Sequence, residues 1–204
     1  MGLSNQPNNR TIVSVLLILF IFGFTGFNYL RSTGDTTDGF DGYVEISDFG
    51  FSFITPEEVD IYHIGITQET ISEDSGWFIA KLDGDTKQYG VIWTRQDQIP
   101  SNYTRDLSGF RSFVLETVEE DGIVFSDEGE TTVSMIDKHE INEQLFWILE
   151  GDMDTPVLTG WWCCDETGLY IMVYSLLSPD SGSMEELAET WSFYAQNVKC
   201  CEGS

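Results

Sequence analysis

"PVLTGWWCCDETGLYIMVYSLL", residues 156–177, holds two apolar runs separated by the short polar turn "DETG". Each run is long enough for a strand, and the turn joins them as an antiparallel hairpin. In the second run Leu169, Ile171 and Val173 form one alternating set and Tyr170, Met172 and Tyr174 the other, and both sets are apolar. A strand with one wet face would alternate apolar with polar residues. "LFWILE", residues 145–150, repeats the pattern, with Leu145, Trp147 and Leu149 in one set and Phe146 and Ile148 in the other. The central strands are therefore expected to be covered on both faces, with a helix on at least one.

Further strands follow on either side. "YVEISDFGFSFITPEE", residues 43–58, supplies two short strands around "DFG", and "TPEE" stops the second. Residues 76–95 read as a hairpin around "DGDTK", and residues 131–152 as another pair. Two segments have helical period instead. Leu107, Phe110, Val114 and Val118 follow the i, i+3, i+4 rhythm, which Gly122 ends. Met184, Leu187, Ala188, Trp191, Tyr194, Ala195 and Val198 make one apolar stripe, and Ser183 with Glu186 forms a capping-box pattern at its start. The expected fold class is α+β: an antiparallel sheet of five to seven strands with helices packed on it, plus one N-terminal transmembrane helix.

That helix is "TIVSVLLILFIFGFTGFNYL", residues 11–30, which contains no charged residue. At about 1.5 Å per residue it is long enough to span a bilayer core of about 30 Å. A cleaved signal peptide would have a shorter apolar region followed by small residues, whereas bulky Phe27, Tyr29 and Leu30 stand at this exit. The organisation that follows is a short N-terminal tail (1–10), a signal anchor (11–30), a flexible acidic linker (31–42) and an extracytoplasmic domain (43–204). The linker's repeated Asp lacks the spacing of a calcium loop.

The charge divides the same way. The 204 residues carry 9 Lys+Arg against 35 Asp+Glu, a net charge of −26. Residues 1–40 are neutral, so residues 41–204, with 7 basic and 33 acidic groups, hold all of it. Phosphate binding needs clustered cations, so nucleic acid is not an expected partner. With 41% hydrophobic and 14% aromatic residues, the acidic body has ample material for a core. The expected localisation is the cell membrane, single-pass, with the C-terminal domain outside the cytoplasm. "NYT", residues 102–104, offers Asn102 as a glycosylation acceptor on that side.

The opening "FGFSFITPEE" (49–58), a hairpin, a first helix, "GWWCCDETGLYIMVYSLLS" (160–178), a C-terminal helix and the closing "FYAQNVKCC" (193–201) together resemble the PsbP/Mog-like fold. Many prokaryotic members of that family start with a Gly-Phe-Ser-Phe-x-x-Pro-like stretch, here Gly50 to Pro56, and end in a helix running into Phe and Cys. The resemblance covers about residues 43–201. It implies a non-enzymatic domain that binds protein; with the anchor read at 11–30 the chain resembles a prokaryotic member, archaeal forms included, and its anchor and acidic body depart from the eukaryotic nuclear branch. One branch of the family serves as extrinsic subunits of a photosynthetic complex and another as a small-GTPase-binding factor. No partner-binding residue of either branch matches a position here.

The chain has four cysteines, in two adjacent pairs: Cys163 and Cys164 at a strand end, Cys200 and Cys201 after the last helix. If that helix packs back on the sheet, a cross-pair such as Cys163–Cys200 or Cys164–Cys201 falls within disulfide reach. Closing a loop of about 37 residues would stabilise by roughly 3–4 kcal/mol and suits an extracytoplasmic domain. Four reduced thiols are the plain alternative, and a zinc site made by all four thiolates the sharp one, although metal-binding cysteines are usually spaced C-x2–4-C.

No catalytic motif emerges: there is no G-x-S-x-G, P-loop, G-x-G-x-x-G or C-x-x-C. His63 and His139, the only histidines, read as ordinary side chains. The acidic runs at 119–121 and 127–130 read as solvated faces. Trp77, Trp161 and Trp162 are interaction-surface candidates, since aromatics concentrate in binding hot spots; adjacent Trp161 and Trp162 must point opposite ways, so core packing is the expected use of at least one of that pair. The expected function is that of a non-catalytic interaction or accessory-subunit domain, with no cofactor and an unidentified protein partner. Alternatives are a subunit of a surface filament or envelope assembly that packs through residues 11–30, and a metal-binding or redox module.

Overall fold

A computed structural model describes residues 42–200 apart from 48, 58, 65–71, 83–85, 121–122, 127–130, 137–138, 151–152, 166 and 179–180. Among the described residues no helix is long and apolar enough to cross a membrane. The anchor expected at 11–30 and the linker up to residue 41 lie outside them, as does Cys201.

The fold is α+β, with eleven strands in two antiparallel sheets and two α-helices among the described residues. The main sheet contains β3 (Asp60–Ile64), β4 (Ser75–Leu82), β5 (Lys87–Arg95), β10 (Leu169–Leu177), β9 (Met153–Cys164), β8 (His139–Glu150) and β6 (Phe125–Ser126), in that spatial order. β7 (Thr131–Ile136) also pairs with β8. A second sheet has the order β1 (Tyr43–Ile46), β2 (Phe51–Pro56), β11 (Lys199–Cys200). The helices are α1 (Leu107–Glu120) and α2 (Met184–Gln196). The single sheet of five to seven strands is therefore corrected to a sheet of eight with a separate sheet of three.

β10 is central and buried along nearly its whole length. Its odd residues Leu169, Ile171 and Val173 join Tyr89, Val91 and Trp93 of β5 on one face, where β2 and α2 cover them. Its even residues Tyr170, Met172 and Tyr174 face the opposite way, against Phe110, Phe113, Val114 and Val118 of α1. The main sheet is thus the middle of three layers, with a helix on each face. On the second-sheet side the contacts are largely aromatic: Phe51 lies edge-on to Trp93 at 5.3 Å and Phe53 edge-on to Phe78 at 4.7 Å.

Each helix starts at a cap that the local sequence supplies. The Asp106 carboxylate accepts from the Gly109 amide at 2.8 Å and from the Thr104 hydroxyl at 2.7 Å. These bonds, the Thr104 hydroxyl foremost, hold its pKa below the usual carboxylate range. Ser183 and Glu186 form the expected capping box: the Ser183 hydroxyl accepts from the Glu186 amide at 3.2 Å, and the Ser183 amide donates to Glu186 Oε2 at 2.9 Å.

α2 is seated by two rings. Tyr194 stacks on Tyr89 of β5 at 3.9 Å. Trp191 donates its Nε1 proton to the Val173 carbonyl at 3.2 Å and lies over Gly160 of β9. A Cβ at Gly160 would collide with the Trp191 ring and come within 2.8 Å of Ile141 Cγ2. Gly160→Ala should therefore lower stability by about 1–3 kcal/mol through overpacking, read as a shift of the denaturant midpoint with no change in slope.

Candidate functional site

Three of the four cysteines, Cys163, Cys164 and Cys200, gather at one end of the β9–β10 hairpin. Cys164 ends β9, and its carbonyl accepts from the Thr167 and Gly168 amides at 3.1 and 2.9 Å. Gly168, at φ 63, supplies the left-handed residue that closes this turn. Cys164 is bonded to Cys200, with a Cα–Cα distance of 5.6 Å and a sequence separation of 36. The bridge joins the two expected segments, but the pair is Cys164–Cys200 rather than Cys163–Cys200 or Cys164–Cys201. The reason is strand parity: Cys164 faces the layer of α2 and the second sheet, while Cys163 faces the α1 side. Cys200 lies in β11, opposite Phe51 of β2. The bond therefore ties the second sheet, as well as the end of α2, to the main sheet. It also rules out a zinc site made by all four thiolates, since two of the four are bonded to each other.

Cys163 is a free, half-buried thiol. Burial, followed by the negative charge of and hydrogen bond to Asp165, pushes its pKa up to about 11. A thiol this reluctant to ionise is a poor nucleophile and metal ligand at neutral pH.

The tryptophans do not form the expected surface. Trp161 and Trp162 are both buried, at 1% and 2% exposure, on opposite faces of the main sheet. Trp161 donates to Thr159 Oγ1 at 2.8 Å. Trp77 is half-buried, and its Nε1 donates to the Tyr174 hydroxyl at 3.0 Å, which also accepts from Gln88 Nε2 at 2.7 Å. Burial raises the Tyr174 pKa well above its ordinary value against the pull of these two donors. Asn102 is exposed in a turn, two residues before Thr104, whose hydroxyl donates to the capping Asp106. His63 and His139 belong to β3 and β8, which lie toward opposite edges of the main sheet and share no site. The acidic run at 127–130 lies outside the described residues.

What the sequence reading missed is an uncovered apolar strip. β8 is expected to be covered on both faces, and at its start Ile141 is buried on the α2 side, but along residues 144–149 only Gln144, Phe146 and Ile148, on the α1 side, are buried. On the α2 side Leu145 and Trp147 are only partly buried, and Leu149 is 45% exposed. Their cross-strand partners on β9 are Leu158, Pro156 and Asp154. Val124 beside β6, 50% exposed, accepts the Leu149 amide at 2.9 Å and extends the strip. The signal is present in "LFWILE", whose second apolar set needs a cover that the two helices among the described residues do not supply.

Cys200→Ser should cost roughly 3–4 kcal/mol of stability, as should reduction of the wild-type protein, whereas Cys163→Ser should cost little; denaturant titration with and without reductant reads both. At pH 8 Cys163 should be alkylated roughly a hundredfold more slowly in the folded chain than in the unfolded one. Because its pKa is raised, the rate should climb through the alkaline range, as peptide mapping after timed iodoacetamide treatment would show.

No protein-family model matches the chain, and no curated protein matches it in sequence. Among solved structures it is similar to the Ran-binding protein Mog1p of Saccharomyces cerevisiae, at 8% identity and TM-score 0.42 over 78% of this chain and 95% of that one. A Pseudomonas aeruginosa protein of unknown function aligns at 9% identity and TM-score 0.36 over 71% of this chain and 88% of its own. A Bacteroides thetaiotaomicron protein aligns at 10% identity and TM-score 0.38 over 74% of this chain and 45% of its own. Likenesses this distant assign no residue a role.

Proposed function

We propose that this chain is a membrane-anchored, extracytoplasmic domain of PsbP/Mog-like architecture that acts without catalysis, by binding another protein. The observation that carries the binding role is the apolar strip of Leu145, Trp147 and Leu149 on β8, left open beside α2. A contiguous apolar surface rimmed by polar groups is the usual mark of an interaction site. The compartment is supported by the Cys164–Cys200 bond, which persists in oxidising surroundings. The anchor is supported by the uncharged run at 11–30, and the family reading by the order of elements from Gly50-Phe51-Ser52-Phe53 to the final helix and cysteine.

The test uses the full-length chain expressed with its own leader. It should stay with membranes through alkaline carbonate washing, leave them in detergent as a small species, and show an intact mass that includes residues 1–30. External protease should reach the domain in intact cells. Loss of the leader or release by carbonate would remove the anchor, protection from external protease would remove the orientation, and sedimentation as a polymer would favour the filament-subunit alternative.

A further inference from the structure

The open strip has a geometry and a charge that together specify what would cover it. α2 lies along β10 and β9, and its orientation is fixed by Tyr194 over β5 and Trp191 over Gly160 of β9. At about 100° per residue, Met184 and Ala188 fall on the side of Trp191 away from Tyr194, the flank turned toward β8. Both are exposed, Met184 at 44%. The large apolar side chains most exposed among the described residues, Val124, Leu149 and Met184, thus converge on one groove. β9 and β8 form its floor and α2 its wall. From β10 to β8 is two strand spacings, about 10 Å, which is the distance between the axes of packed helices. The groove is the position of a second helix lying beside α2.

The rim is of one sign. β8, β9 and α2 together contain Glu140, Glu143, Glu150, Asp154, Glu185, Glu186 and Glu189, and no Lys or Arg. Glu143 and Asp154 are on the strip's own face by strand parity, and Glu185 is on the outward flank of α2. Glu186 is already occupied by Lys87 at 3.6 Å and by its capping bond.

We infer that the groove between α2 and strands β8–β9 receives a basic amphipathic helix of a partner protein. Its apolar stripe lies on Trp147, Leu149 and Leu158, and its cations face Glu143, Asp154 and Glu185. This deepens the interaction reading above and rests on it. A neutral apolar occupant would leave the acidic rim unanswered, and a purely cationic one would leave the floor wet; a helix with both faces answers each.

The experiment takes the full chain in phosphatidylcholine nanodiscs, with empty discs as the blank. It is titrated with three labelled helical peptides of about 18 residues that share one leucine spacing and carry lysine, glutamate or glutamine at the polar positions. The lysine peptide should bind at least about ten-fold more tightly than the other two. Leu149→Glu and the double variant Asp154→Lys/Glu185→Lys should each weaken it by about ten-fold or more. Glu119→Lys, exposed on α1 across the sheet, should leave it within about two-fold. An equal loss with Glu119→Lys would mean that overall charge captures the peptide, and would overturn the site. A glutamine peptide that binds as tightly as the lysine one, yet is weakened by Leu149→Glu, would overturn the charge assignment while leaving the strip an interaction surface. Indifference of all peptides to Leu149→Glu would overturn both. A dimer dissolved by Leu149→Glu would make the occupant a second copy of this chain and overturn the inference.

Discussion

Strand β10 imposes the constraint on which the rest of the architecture depends. Apolar side chains stand on both of its faces, and each buried Ile, Val, Met or Tyr loses roughly 1.5–3 kcal/mol if its face is left in water. One covering layer therefore does not suffice. α1 seals the Tyr170, Met172 and Tyr174 face, while α2 and β2 divide the Leu169, Ile171 and Val173 face between them. Placing β10 at the centre of the sheet, with β5 on one side and β9 on the other, sets where every other element must go.

The second sheet is too small to hold that position by itself. β11 contributes only Lys199 and Cys200, and a two-residue ladder has little strength. Three things hold it: the aromatic contacts of Phe51 and Phe53, the end of α2 that feeds it, and the Cys164–Cys200 bond. The bond acts chiefly by limiting the unfolded chain, so it stabilises the whole domain while being located where the ladder is shortest. The strand parity that selects Cys164 for this bond leaves Cys163 on the other face, beside Asp165 and Tyr170, where burial keeps it protonated.

What could be read from the sequence was what is locally determined. The capping box at Ser183 and Glu186, the α1 rhythm from Leu107 to Val118 and the hairpins across "DETG" and "DGDTK" depend on neighbours within a few residues, and each is present. β3, β6 and β11 could not be read, because they are short edge strands whose pairing is decided by tertiary contact. The choice of Cys200 over Cys201 depends on the register of β11 against β2, which no local pattern encodes. For the tryptophans, strand alternation implies that at least one of Trp161 and Trp162 packs in the core, and both do, because each face of β9 is covered near its Cys164 end.

β8 marks the limit of reading burial from pattern. Its two apolar sets resemble those of β10, yet β10 is flanked by long strands and crossed by α2, whereas β8 lies near the sheet edge and, among its described side chains, is buried on the α2 side only at Ile141. The same composition thus yields a core strand in one place and an open strip in the other. Leaving Trp147 and Leu149 partly wet forgoes about 1 kcal/mol each and creates a sheet face prone to self-association. The acidic side chains around it resolve that tension. Two copies of this domain, each strongly negative, repel when their strips approach, whereas a cationic partner is drawn in. The acidity of the body thus makes an exposed apolar face tolerable and at the same time restricts what can cover it.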